Sequence, residues 1–169
     1  MQSVNFIIIT RPSKIKKTDM PQSLVKNYLH IVFSTKYRYP FIDDNIKNEL
    51  FSYLGGICKS LDCYPIIVGG YSDHIHILCL LSRKIALMKL IESLKSGSSK
   101  WIKTQGLPYQ KFYWQGGYAS FSINEDLVEI VKNYIVKQEE HHKNNSFKRE
   151  YLSFLKQYNL SYDERYVWD

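Results

Sequence analysis

Two short stretches of the chain combine residue types that can do chemistry together. In Asp73-His74-Ile75-His76-Ile77-Leu78 polar and apolar residues alternate. On a strand this period of two directs His74 and His76 to one face and Ile75 and Ile77 to the other. Imidazoles two apart are close enough to share one cation, and neutral imidazole suits Mn²⁺ and the later first-row divalent ions. By itself a His-x-His pair is more often a hydrogen-bonded surface pair than a ligand set, so it needs a companion. The companion is Tyr134-Ile135-Val136-Lys137-Gln138. On a helix, the i, i+4 spacing puts the phenol and the carboxamide on one face, in line with Leu127, Ile130 and Val131. An apolar stripe that runs on into Gln138 buries an amide, and a buried amide needs partners. A metal would take its carbonyl oxygen as a third ligand and keep positions open for phosphate oxygens and water. Tyr134, one turn earlier, would then stand at the phosphate. A phenol has an unperturbed pKa of about 10, and a nearby cation favours its ionised form. Attack at phosphorus would give a covalent phosphotyrosine and free a 3′-hydroxyl. Conserving the bond energy lets a second strand end reverse the step without ATP.

The bulk of the chain fits such work. Its 169 residues are one domain's worth, and 44% of them are hydrophobic, which argues against general disorder. Lys and Arg number 23 against 16 Asp and Glu, a formal net charge of +7 that attracts polyanions. Aromatic residues interleave with the basic ones in Lys36-Tyr37-Arg38-Tyr39 and Lys111-Phe112-Tyr113-Trp114, a mixture suited to stacking on unpaired bases beside phosphates, or to filling a core. Cys58, Cys63 and Cys79 form no CxxC pair and are odd in number, so neither a disulfide framework nor a zinc ribbon is expected and a reducing cytoplasm fits. Val4 to Ile9 is too short for a signal-peptide core and no stretch reads as a membrane span. Residues 1–19 read as an N-terminal extension, and residues 20–169 as a single domain that begins at Met20-Pro21-Gln22-Ser23.

The elements that must position these residues follow from periodicity. Val25 to Thr35 alternates as a strand, with Leu29, Ile31 and Phe33 on one face and Tyr28, His30 and Ser34 on the other. Asp43 can cap a helix with apolar positions Ile46, Leu50, Tyr53, Leu54, Ile57 and Leu61. Pro65 to Val68 reads as a strand that turns through Gly69-Gly70 into the strand His74 to Leu80. A helix from Ile85, with Met88, Ile91 and Leu94 inward, is expected to loosen at Lys95 to Lys100, and Tyr118 to Ile123 is a fourth strand. Strand, helix, strand, strand, helix, strand is the order of an α+β ferredoxin-like sandwich, an antiparallel four-stranded sheet with helices on one face and the other face left for a site. Two helices follow, one over Glu125 to His142 that carries Tyr134, and a terminal one over Phe147 to Tyr158 with Phe147, Tyr151, Leu152 and Leu155 as its stripe.

His74-Ile75-His76 resembles the HUH motif, and Tyr134-Ile135-Val136-Lys137-Gln138 resembles the tyrosine motif of HUH-type single-tyrosine transposases of small bacterial insertion sequences and of REP-associated tyrosine transposases. The resemblance extends to Ser98-Ser99-Lys100-Trp101, Trp114-Gln115-Gly116-Gly117-Tyr118, Phe121-Ser122, Gln138-Glu139-Glu140-His141-His142 and Tyr162-Asp163-Glu164-Arg165-Tyr166, nearly everything from Met20 onward. It implies Tyr134 as nucleophile, His74, His76 and Gln138 as ligands, Mg²⁺ or Mn²⁺ as cofactor, and single-stranded DNA with subterminal hairpins as partner. It also implies a homodimer in which the tyrosine helix can complete the partner's site, and action in the bacterial cytoplasm at the nucleoid. Lys36, Arg38, Lys100 and Trp114 are the candidate DNA contacts. Three alternatives stand beside this. A replication-initiator or relaxase-type HUH nuclease usually brings a histidine or acidic third ligand where Gln138 stands. A domesticated relative would grip hairpin DNA without cutting, for which the intact set of four is superfluous. A histidine-triad hydrolase needs a third histidine where the chain has Leu78. His30 reads as a sheet histidine beside the pair, and His141 and His142 as helix-end residues within reach of the site or of DNA.

Overall fold

Alternating burial along the chain builds one sheet. The computed structural model describes residues 23–143, 145–165 and 167–168, so the expected extension over residues 1–19 lies outside the described residues. Strand β1 (Tyr28–Ser34) pairs antiparallel with β3 (His74–Leu80) on one side and β4 (Ala119–Ile123) on the other, and β2 (Tyr64–Tyr71) pairs antiparallel with β3. The order is β2-β3-β1-β4. Helix α1 (Lys47–Ser60) joins β1 to β2 and α2 (Leu87–Lys103) joins β3 to β4, the expected βαββαβ ferredoxin-like arrangement. Three helices follow: α3 (Val128–Val136), α4 (Gln138–His141) and α5 (Phe147–Gln157).

The first core lies between the sheet and α1 with α2. Leu29, Ile31 and Phe33 of β1 and Ile75, Ile77 and Cys79 of β3 meet Leu50, Leu54 and Cys58 of α1 and Leu90, Leu94 and Ile102 of α2. The second lies on the opposite face, where Val32, Ile67, Leu78 and Phe121 meet Ile135 of α3 and Phe147, Tyr151 and Leu155 of α5. The sheet is therefore covered on both faces, the second by the helices expected beyond the βαββαβ unit. A strand whose two faces are both apolar, as in Ile31-Val32-Phe33, leaves neither side stable in water. His74 and His76 lie on the second face, beneath α5.

Several boundaries differ from the sequence reading for local reasons. Gly69 and Gly70 are inside β2, and the turn to β3 is Ser72-Asp73. That turn is tied to the end of β1, because the Thr35 amide donates to the Asp73 carbonyl at 2.8 Å and the Ile42 amide to the Ser72 carbonyl at 2.9 Å. Asp43 accepts from the amides of Asn45 and Ile46 and so caps the turn leading into α1. Helix α2 continues through Lys95 to Lys100, since Ser98 is a packing position: its hydroxyl donates to the Leu94 carbonyl and accepts from Trp114 Nε1 at 2.9 Å. Met88 is exposed, and the inward stripe is Leu90, Ile91, Leu94 and Ile102. The helix expected over Glu125 to His142 is broken at Lys137, whose amide is shared between the carbonyls of Asn133 and Tyr134 at 3.2 Å each.

Candidate active site

Register sets the imidazoles. Ser34 pairs with His74 and Val32 with His76, so both histidines stand at the end of the central strand pair, next to the Ser72-Asp73 turn. Both are fully buried. The tyrosine helix reaches them because β2 offers a glycine where it crosses. A Cβ on Gly69, the residue opposite His76, would lie 2.6 Å from Ile135 Cγ2 and 3.2 Å from the Ile135 carbonyl oxygen. Ile135 is thereby pinned inward, and with it the rotation of α3. Of the expected stripe, Leu127 and Ile130 are exposed while Val131 packs, joined by Val128. Tyr134 lands with its ring centroid 5.9 Å from that of His76, and the kink at Lys137 turns Gln138 inward until it is 1% exposed. His74, His76, Tyr134 and Gln138, chosen from two distant motifs, thus converge within one chain.

The hydrogen bonds fix most proton positions. His74 Nδ1 is 2.7 Å from Asp73 Oδ1, which can only accept, so Nδ1 carries a proton and Nε2 faces inward. Asp73 thereby orients the ring as a carboxylate behind a metal-binding histidine does. His74 Nε2 stands 3.0 Å from Gln138 Oε1. His30 Nε2 and His76 Nδ1 are 2.9 Å apart, so one of the two rings donates to the other and His30 steadies His76 from the neighbouring strand. Burial, and then the neighbouring His76, lower the pKa of His30, and burial lowers that of His76 to about 4; both are neutral at pH 7. His76 Nε2 is buried with no hydrogen-bond partner among the described residues.

At the centre is Glu150, a residue absent from the sequence-derived set. It comes from α5 and is 3% exposed. Its Oε1 accepts from the Tyr134 hydroxyl and from Gln138 Nε2 at 2.9 Å, and its Oε2 accepts from His142 Nε2 at 3.1 Å. Burial alone would raise its pKa, but the contacts with His142 and His76 and the field of His76 and His74 hold the carboxyl well below the usual carboxylate range. For Tyr134, burial first and the Glu150 charge second push the phenol far above its ordinary value, so it rests protonated. His142 is raised although burial opposes it, because Glu150 favours its charged form. Its Nδ1 also lies 2.7 Å from the Asn145 carbonyl. Phe147 stacks on His74 at 4.5 Å and Phe154 lies edge-on to Tyr134, a dry roof from α5.

A sequence signal for Glu150 did exist. The α5 stripe Phe147, Tyr151, Leu155 recurs every four residues, and Glu150 sits three residues after Phe147 and four before Phe154, an acid inside an apolar face like the amide of Gln138 at the start of α4. The candidate DNA contacts divide. Lys36 and Arg38 follow β1 at the end of the sheet that carries His74, and Arg38 borders a hollow of about 340 Å³ with Tyr71, Asp73 and His142. Lys100 is exposed on α2, across the sheet from the site. Trp114 is a core residue: it is 9% exposed, packs edge-on against Phe33 and Phe112, and spends its indole N–H on Ser98, so no ring face is left for a base. An open cleft of about 770 Å³ runs beside Tyr134, lined by Ile130, Asn133, Lys137, His141 and Arg149.

The donor set fits a cation. His76 Nε2 is orphaned, and Gln138 Oε1 and both Glu150 oxygens face the inward nitrogens of the two imidazoles with more lone pairs than protons to share. His74, His142 and Glu150 also place one donor atom each within 4.8 Å of one another.

An antiparallel βαββαβ sheet with paired histidines under a tyrosine-bearing helix defines a class, and comparison with known proteins assigns it. The family profile described as IS200-like transposase matches residues 23–138. The chain belongs to that family. A crystal structure assigned as a transposase from Deinococcus radiodurans R1 is similar in fold, with a TM-score of 0.57 and 18% identity over 72% of this chain and 98% of that one. A REP-associated tyrosine transposase bound to a REP hairpin is also similar, with a TM-score of 0.55 and 13% identity over 75% of this chain and 74% of that one. No curated protein sequence matches the chain. No helix among the described residues is long and apolar enough to cross a membrane.

Proposed function

We propose that this transposase cuts and rejoins single-stranded DNA at the ends of an insertion sequence, through a 5′-phosphotyrosine on Tyr134. The observation that carries the reading is the convergence of Tyr134, His74, His76 and Gln138 in one site of a chain that belongs to the IS200-like transposase family. His74, His76 and Gln138 would hold Mg²⁺ or Mn²⁺, which when bound polarises the scissile phosphate and favours the phenolate. Asp73 and His30 hold the two imidazoles in orientation. The cleft beside Tyr134 admits the strand, and Lys137 and Arg149 on its wall meet phosphates. The Tyr134 oxygen bonds to phosphorus as the P–O3′ bond breaks, which leaves the 5′ side on the enzyme and a free 3′-hydroxyl on the other side; attack by a 3′-hydroxyl reverses the step. Lys36 and Arg38 extend the basic surface toward hairpin DNA.

Tyr134 meets the histidines of its own chain, which supports an active site complete in one subunit even if the protein pairs as a homodimer. The reading places the enzyme with its DNA, in the cytoplasm. The test is denaturing electrophoresis of the protein with labelled single-stranded DNA carrying candidate element ends, in Mg²⁺ or Mn²⁺. A covalent band that disappears in Tyr134→Phe, with hairpin binding retained, is expected. Hairpin binding without any adduct would support the non-cutting relative instead.

A further inference from the structure

Resting on the reading of His74, His76 and Gln138 as a metal site, we infer that Glu150 of α5 is a fourth protein ligand of the same cation. On this assignment α5 is part of the catalytic centre as well as its roof. The separations favour it. Two atoms that each lie about 2.1 Å from a shared ion stand about 3.0 Å apart at a right angle and about 3.4–3.6 Å apart at tetrahedral to trigonal angles. His74 Nε2 is 3.0 Å from Gln138 Oε1 and 3.6 Å from Glu150 Oε2, and His76 Nε2 is 3.4 Å from Glu150 Oε1 without hydrogen-bond geometry. These are spacings of atoms that face a common ion.

The chemistry agrees. Two neutral imidazoles and an amide bring no negative charge to a dication in a buried site, and a carboxylate supplies it. Glu150 is also fixed in place. His142 donates to Oε2, its other nitrogen being engaged by the Asn145 carbonyl, and Gln138 Nε2 donates to Oε1. Both nitrogens of His142 are thus occupied, which makes it a positioning residue for the carboxylate and leaves the inward ligands to His74, His76, Gln138 and Glu150. The same carboxylate accepts the hydrogen bond of Tyr134. Glu150 would thus link the cation it holds to the phenol of Tyr134 through this hydrogen bond. The opposing possibility is that Glu150 merely fills the metal's place, and the two have opposite signs in a binding experiment.

The full-length chain is titrated with Mn²⁺ alone, with free ion followed by electron paramagnetic resonance and the melting temperature recorded in parallel. Glu150→Gln keeps shape and polarity and is expected to bind Mn²⁺ at least tenfold more weakly and to lose most of the Mn²⁺-dependent rise in Tm. Glu150→Asp, which keeps the charge on a shorter arm, should fall between, and it carries the test if the glutamine variant does not fold. Equal or tighter Mn²⁺ binding by Glu150→Gln, or by Glu150→Asp in its stead, overturns the assignment. His76→Ala separates this from the proposed function. If it weakens Mn²⁺ binding and Glu150→Gln does not, the Glu150 inference alone fails; if neither does, the metal site itself is misread.

Discussion

The two faces of the sheet are equally dry and differently built. Toward α1 and α2, β3 presents Ile75, Ile77 and Cys79 to a hydrocarbon core; toward α3 and α5, the same strand presents His74, His76 and Leu78 to Tyr134, Gln138 and Glu150. Burial on the first face is mostly ordinary hydrophobic stabilisation, with a few polar groups such as the Trp114 indole N–H and the Ser98 hydroxyl paired to each other. On the second, each buried polar atom needs a partner, and the network meets that need at almost every point except His76 Nε2. Both faces help hold the fold together, and the second also gathers the polar groups of the candidate site, within the same strand. The site is completed by helices outside the βαββαβ unit and depends on how they dock.

Substitutions can break this contrast, and their effects on cleavage should fall in a definite order. Tyr134→Phe removes the proposed nucleophile and should abolish cleavage and adduct on denaturing gels, while costing about 1 kcal/mol of stability for the lost bond to Glu150. His76→Ala, or EDTA with the unaltered protein, should bring cleavage to background with Tyr134 still present; unchanged activity in EDTA would rule out the metal mechanism. Gly69→Ala forces Ile135, and with it α3, away from β2, so kcat should drop by about 10- to 100-fold with hairpin affinity retained. Arg38→Ala should weaken hairpin binding and lower the salt slope of affinity by about 1, whereas Trp114→Phe should leave that slope alone. Leu54→Ala, on the hydrocarbon face, should cost about 2–5 kcal/mol by denaturant unfolding and leave cleavage per folded molecule unchanged. If Leu54→Ala changed the reaction as strongly as Gly69→Ala, the separation of the two faces would be wrong.

Much of this was legible from one chain because strand periodicity is strict. The alternation in Asp73 to Leu78 put both imidazoles on one face before any coordinates, and i, i+4 spacing linked Tyr134 with Gln138. The helix rotation was not legible. Leu127 and Ile130 fitted a stripe with Val131, but the close approach at Gly69 turns Ile135 inward and brings Val128 into the packing in their place. Nor does spacing show the helix break: Tyr134 and Gln138 converge, but across a kink at Lys137. Trp114 shows the limit for aromatic residues, since a tryptophan among lysines reads alike whether it stacks on bases or, as here, packs edge-on against Phe33 and Phe112.

By itself, the sequence determined the order of strands and helices, the facing of His74 and His76, and the reactive residue types, because these depend on spacing along the chain. Tertiary structure alone decided that the second face is closed, that Asp73 and His30 hold the two rings, and that a carboxylate sits among them. Glu150 is 74 residues from His76, a difference read from their numbers, and no local period relates them. The meeting depends on how α5 docks over β3, which is set by the burial of Phe147, Tyr151 and Leu155 on a face the strands alone would leave open.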